Sequence, residues 1–171
     1  MHGFALFETP IGTCAIAWSG RGIVGVQLPE THEHETRTRV CSRFPEAQEA
    51  PPPPGVQRAI DAIRSLLQGE AGDLSTVTLD MDGVAAFDRQ VYEMARTIPP
   101  GVTRTYGEIA ESLGARGSAR AVGQALGRNP FAIVVPCHRV LAAGGKAGGF
   151  SARGGVSTKL RLLSIEGAYF F

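Results

Sequence analysis

The stretch Thr105-Tyr106-Gly107-Glu108-Ile109-Ala110-Glu111-Ser112-Leu113-Gly114-Ala115-Arg116-Gly117-Ser118-Ala119-Arg120-Ala121-Val122-Gly123-Gln124-Ala125-Leu126-Gly127 decides the architecture of this chain. Thr105-x-x-Glu108 has the form of a capping box, in which a hydroxyl and a carboxylate each satisfy a backbone N–H at a helix start. Ile109 and Leu113 follow on one face. Gly114-Ala115-Arg116-Gly117 breaks the pattern, Ser118 is placed to cap a second helix, and Val122, Ala125 and Leu126 give that helix an inward face. Two short helices joined by a glycine-bearing turn make a helix-turn-helix. By itself the pattern also fits an ordinary helical hairpin.

The second helix carries an unusual surface. Ala119, Gly123 and Gly127 repeat every four residues as a ridge of minimal side chains, beside Arg120 and Gln124. A glycine inside a helix costs about 1 kcal/mol relative to alanine, so the space itself must be needed. One explanation is close packing against the protein's own core; the other is close approach of a bulky partner such as a nucleic-acid backbone, into which Arg120 would project.

Working outward, Asn129-Pro130-Phe131-Ala132-Ile133-Val134-Val135-Pro136-Cys137-His138-Arg139-Val140 runs from an apolar segment into a thiol, an imidazole and a guanidinium. Cationic neighbours favour the nucleophilic thiolate. On an extended segment adjacent side chains point to opposite sides, so Cys137 and His138 are expected to communicate through a water rather than directly. The acid that would orient the imidazole is sought elsewhere, and Glu166 is the only glutamate or aspartate after Glu111. Composition alone leaves a buried structural cysteine open as the alternative.

Upstream, Phe87, Val91, Met94, Ala95 and Ile98 share a helix face that stops at Pro99-Pro100. The N-terminal half reads differently. Residues 4–8, 14–18 and 23–28 are short β-rich runs separated by turn residues, and residues 76–79 form a fourth candidate strand. A short helix is predicted over 35–43, then a polyproline connector at 51–54. A second helix is marked by Val56, Ala59, Ile60, Ile63, Leu66 and Leu67, with Gly69 at its C-terminal cap. The fold class is therefore α+β: residues 1–82 form a small sheet with one covering helix and no catalytic constellation, and residues 83–171 form a helical domain.

The chain has 171 residues, 17 Lys+Arg against 16 Asp+Glu, 43% hydrophobic and 19% charged residues, and a mean hydropathy near zero. Disorder, collagen and coiled coil are excluded by that composition. A net charge of +1 suggests no special partner, yet residues 1–80 carry 6 basic and 10 acidic groups and residues 81–171 carry 11 and 6. A basic half joined to an acidic half suggests a polyanion bound on one side. No apolar stretch approaches a membrane span and no basic-then-apolar leader is present, so the expected address is the cytoplasm, with no membrane partner. Cys14, Cys41 and Cys137 show no CxxC pairing, and His2, His32 and His34 read as solvated loop residues, so no metal site is expected.

The ordered set Ile98-Pro99-Pro100-Gly101-x-x-x-Thr105-Tyr106-Gly107-Glu108-Ile109-Ala110, Arg120-Ala121-Val122-Gly123, Asn129-Pro130 and Pro136-Cys137-His138-Arg139-Val140 strongly resembles the O6-alkylguanine-DNA alkyltransferases, from about residue 87 to 167. The first half resembles them loosely, through Thr9-Pro10-Ile11-Gly12. The resemblance implies a ribonuclease-H-like N-terminal sheet and a winged helix-turn-helix-like C-terminal domain. It implies that Cys137 accepts an alkyl group from O6 of guanine, or from O4 of thymine, in double-stranded DNA, once per molecule and irreversibly. His138 and Glu166 would form the relay, with Asn129 holding the turn. Arg120, Tyr106, Ala119, Gly123, Gln124 and Arg128 would contact DNA, with the damaged base flipped from the minor groove. Val140, Phe150, Ser151 and Lys159 would border the base pocket. No cofactor is implied, and the protein would act as a monomer. The sequence departs from the family pattern at Phe150, where tyrosine is usual, at Arg161, where tryptophan is common, and in a longer 151–159 segment. A lesion sensor that only binds, as in relatives with tryptophan in place of the cysteine, and a Cys-His hydrolase are the other functions considered.

Overall fold

Alternation along the first 27 residues builds a meander. In a computed structural model, which describes residues 2–150 and 152–168, β1 is Gly3–Thr9, β2 is Gly12–Ser19 and β3 is Gly22–Gln27. They pair antiparallel, and a short β4, Gln48–Glu49, adds parallel to β1, giving the order β3-β2-β1-β4. Gly22 opens β3 at φ +147°, and a Cβ there would stand 2.7 Å from the Thr78 carbonyl. Only glycine fits that turn.

Two helices pack on this sheet, rather than the one expected. α1, Glu33–Arg43, meets β2 and β3, and α2, Pro54–Leu67, meets β1. Val40 of α1 clusters with Phe4, Ala15 and Ala17, whereas Arg64 of α2 lies over Phe7. Since successive strand side chains alternate faces, α1 and α2 cover opposite sides, which is why every residue from Cys14 to Trp18 is buried. The six apolar positions of α2 read from its periodicity are all buried, and Gly69 follows its last turn at φ +80°. Residues 76–79 do not form a strand. They contribute an isolated bridge, Leu79 with Ile23, tied by Ile23 N–H to Thr78 O at 3.0 Å and Asp80 N–H to Ile23 O at 2.8 Å. A second bridge joins Val26 to Phe131.

The helical part begins with α3, Ala86–Ala95. A two-stranded parallel pair follows, β5 Arg104–Thr105 with β6 Val140–Leu141, which the sequence did not signal because each strand has two residues. Between them stand α4, Tyr106–Ser112, and α5, Ala119–Gly127. The capping box is formed: Glu108 N–H donates to Thr105 Oγ1 at 3.0 Å, and Thr105 N–H to Glu108 Oε1 at 2.8 Å. Ser118 makes no side-chain cap bond, so α5 starts without the cap its sequence suggested. Tyr92 of α3 anchors α5 instead, its hydroxyl donating to Ala125 O at 2.7 Å. α6, Val156–Ile165, closes this part.

The chain separates into two compact units, Met1–Met81 with Pro130–Val134, and Asp82–Asn129 with Val135–Phe171. Pro130–Val134 joins the first because its backbone bonds the edge of β3, Val26 N–H donating to Pro130 O at 2.9 Å. Among the described residues no helix is long and apolar enough to cross a membrane.

Candidate active site

Cys137, His138 and Arg139 occupy one turn of 3-10 helix, not the extended segment expected, with Arg139 N–H returning to Pro136 O at 2.9 Å. The turn packs against α6, and Glu166, the residue that caps the C-terminal end of α6, receives it. His138 Nε2 lies 2.8 Å from Glu166 Oε2, with both side chains almost wholly buried. The other ring nitrogen, Nδ1, is buried and meets no hydrogen-bonding group among the described residues. Burial holds the imidazole below its usual pKa, against the pull of Glu166. At neutral pH His138 is therefore a neutral base, with Nε2–H donated to the carboxylate and Nδ1 available for a proton.

Arg139 does not face the thiol. Its Nε and Nη2 fork onto Glu166 Oε1 and Oε2 at 2.9 and 2.8 Å, and Nη1 donates to Ile98 O at 2.6 Å. Burial alone would raise Glu166, but Arg139 and His138 bring its pKa down to about 2. The sequence held the signal: a buried arginine and a buried histidine share the only glutamate or aspartate that follows Glu111.

Cys137 itself is partly exposed. Burial raises its thiol above the ordinary value, while the Asn129 side chain and the Lys159 charge work the other way. A cationic neighbour, Lys159, does favour the thiolate, but desolvation outweighs it. Asn129 also donates from Nδ2 to Val135 O at 2.9 Å, closing the loop that leads into the active turn.

The thiol lies in a cavity of about 630 Å3. On one side are Ala119, Gly123 and Gly127 of α5, with Arg120, Gln124 and Leu126; the others are Tyr106, Gly149 and Phe150. Among the described residues nothing comes within 4 Å of a Cβ built on Gly123 or Gly127. The small ridge is thus not a seat for the protein's own core. It is an open face.

Lys159 is fully buried. Its Nζ donates to Gly149 O at 3.3 Å and to Tyr106 Oη at 3.4 Å, and burial lowers its pKa to about 8. It stands behind the wall rather than in it, holding Tyr106 to the 148–150 segment. Gly148 completes the fit, since a Cβ there would lie 2.7 Å from Tyr106 Oη. Val140 is buried in β6 and does not line the cavity. Ser151 lies outside the described residues. Arg128 points away from the cavity's chemistry: it forks onto Asp88 at 2.9 and 3.0 Å, so its charge is neutralised. Arg120, by contrast, is exposed on the cavity edge. Among the described residues no group of three His, Cys, Asp or Glu is placed to hold a metal.

A cysteine lining a cavity, followed in the chain by a buried imidazole bonded to a carboxylate, is an arrangement suited to proteins that act through a cysteine activated by a base. Comparison with known proteins narrows that class. Residues 86–168 match the family model described as 6-O-methylguanine DNA methyltransferase, DNA binding domain. A methylated-DNA–protein-cysteine methyltransferase of Mycolicibacterium paratuberculosis is 46% identical over 97% of this chain and 93% of its own length. The protein of the same name from Mycobacterium tuberculosis is 37% identical over the same shares. A crystal structure of Mycobacterium tuberculosis OGT in complex with DNA superposes with a TM-score of 0.76 at 36% identity, covering 97% of this chain and 93% of that one. The chain belongs to the methylated-DNA–protein-cysteine methyltransferase family.

Proposed function

We propose that this protein repairs DNA by moving the alkyl group of O6-alkylguanine, and of O4-alkylthymine, onto the sulfur of Cys137. The observation that carries the reading is the open glycine ridge of α5 beside a cavity lined by Cys137, whose chain neighbour His138 is buried against Glu166. A helix stripped of side chains lets a sugar-phosphate backbone approach closely, and a cavity beside it receives a base swung out of the stack.

In this reading the helix pair α4–α5 enters the minor groove of duplex DNA as part of a winged helix-turn-helix. Arg120 fills the space the damaged base vacates. Tyr106 and Phe150 border the extruded base, and Lys159 keeps Tyr106 and Gly149 in place. Gln124 and Ala119 meet the backbone. The Cys137 thiol gives its proton, through a water, to His138 Nδ1, and Glu166 stabilises the resulting imidazolium through Nε2–H. The sulfur attacks the alkyl carbon; the S–C bond forms as the C–O6 bond breaks. The electron pair stays on the purine, which takes up a proton and is guanine again. The thioether is not hydrolysed, so each molecule acts once, as a monomer and with no cofactor. The four-stranded sheet with its two helices is read as ribonuclease-H-like, and the site of action as the cytoplasm.

Retention of the thiol and its base favours transfer over a lesion sensor that only binds. A hydrolase would turn over repeatedly. A 5-fold molar excess of duplex carrying O6-methylguanine separates the three. Transfer restores one unmodified guanine per protein and then stops, binding restores none, and hydrolysis of ester substrates continues past one equivalent.

A further inference from the structure

Among the polar groups around the relay, Arg139 is the one the transfer chemistry leaves without a role. Its guanidinium is buried, satisfies both oxygens of Glu166 and is fixed from behind by the Ile98 carbonyl. Two groups of the active turn, Arg139 and His138, converge on one carboxylate, that of Glu166, which caps the C-terminal end of α6. The other titratable groups that act on His138 or Cys137 are Lys159 from α6, Tyr92 from α3 and Tyr106 from α4, and the Asn129 amide bonds the thiol. An arginine fork is a rigid, permanent cation whose planar geometry fixes a carboxylate in one orientation.

We propose that Arg139 is a positioning residue for alkyl transfer, holding Glu166 as an oriented anion so that the proton leaving Cys137 stops on His138.

The inference rests on the alkyl-transfer reading of the site. With Arg139 on both carboxylate oxygens, Glu166 accepts Nε2–H but does not take the proton itself. The ring is therefore locked with Nδ1 toward the proton it must receive. The same cation opposes premature protonation of His138, whose pKa Arg139 lowers while Glu166 raises it. Removing the guanidinium acts on both groups in one direction. Glu166, still buried, moves up from about 2, and His138 moves up as well. Either change puts a proton where the relay needs none, so the acid side of the rate profile must move to higher pH. A close opposite charge is worth about 1 to 3 pKa units to a carboxylate.

The test is the single-turnover rate of methyl transfer from an O6-methylguanine duplex, measured from about pH 5 to 9 for the intact protein, Arg139→Gln and Arg139→Lys. The proposal expects the acid limb of Arg139→Gln to move upward by about 1 unit or more, with the rate partly recovered at high pH. Arg139→Lys, which keeps the charge and loses the fork, should keep the limb near that of the intact protein at a reduced plateau. A uniform rate loss at every pH in both variants, or an unmoved limb in Arg139→Gln, overturns it. Because Arg139→Gln leaves a buried carboxylate without its partner, folding is checked by circular dichroism. The carbon-13 shift of the Glu166 carboxyl in the unsubstituted protein gives an independent reading. It should stay that of a carboxylate down to about pH 3, and titration near 4.5 overturns the proposal without any variant. No transfer by the intact protein at any pH contradicts the functional reading itself, a result distinct from an unmoved limb.

Discussion

Cys14 and Cys137 are two thiols that burial makes hard to ionise, and their surroundings differ in what stands next to them. Cys14 sits inside β2, wholly enclosed, with Thr9 Oγ1 at 3.8 Å; burial, with a smaller push from the Glu8 charge, raises its pKa to about 12. Cys137 sits on a turn that opens into a cavity, with an amide, a buried lysine and a base arranged around it. Desolvation therefore does not separate a structural cysteine from a reactive one. The observed difference is an opening onto a cavity, and the proposed function adds a proton acceptor, His138, as the next residue in the chain.

The comparison breaks most sharply at the sulfurs themselves. Cys137→Ala should abolish methyl transfer while leaving duplex affinity within about 3-fold, because the DNA-facing ridge is untouched. Cys14→Ala should keep the rate and lower stability by about 1 kcal/mol, the order expected for removing one buried heavy atom. Stopped-flow transfer and thermal melts on the two variants decide this.

The base comes next. His138→Gln should slow transfer at neutral pH by about 10²- to 10⁴-fold, the usual worth of positioned proton transfer. If the rate held within 3-fold, Cys137 would not need its neighbour, and the contrast with Cys14 would reduce to access alone. Arg120→Ala should cost about 10- to 100-fold on duplex substrate and little on free O6-benzylguanine, since only the duplex requires a base to be extruded at a cost of a few kcal/mol. Equal losses on both would move Arg120 from the stack to the chemistry. The smallest effect is at Cys14. Iodoacetamide at about pH 8.5 should label exposed Cys41 and spare Cys14, whose thiol remains protonated there. Peptide mapping of the folded protein checks it.

Much of this was readable before any coordinates. The period of α2 announced its buried face, and Thr105-x-x-Glu108 announced the start of α4, because caps and amphipathic faces are encoded within a few residues. Glu166 was legible by scarcity. What escaped was set by distant partners. Nothing local in Glu33–Arg43 says that it covers the face of the sheet opposite α2. Residues 76–79 have a strand-like composition, yet they only bridge to Ile23. The direction of Arg139 could not be read from its place beside Cys137, and the same holds for Arg128, whose charge is matched by Asp88, 40 residues away. Gly123 and Gly127 were ambiguous in sequence; only the empty space beside them distinguishes an open face from a packed one.

The most direct measurement is the mass of the peptide bearing Cys137 after incubation with duplex DNA containing O6-methylguanine. The account predicts a gain of about 14 Da, one methyl replacing one hydrogen, on that peptide alone and at one equivalent per protein, with the peptides of Cys14 and Cys41 unchanged. An unmodified Cys137 peptide after the lesion has been bound, or a methyl group found on another residue, would contradict it.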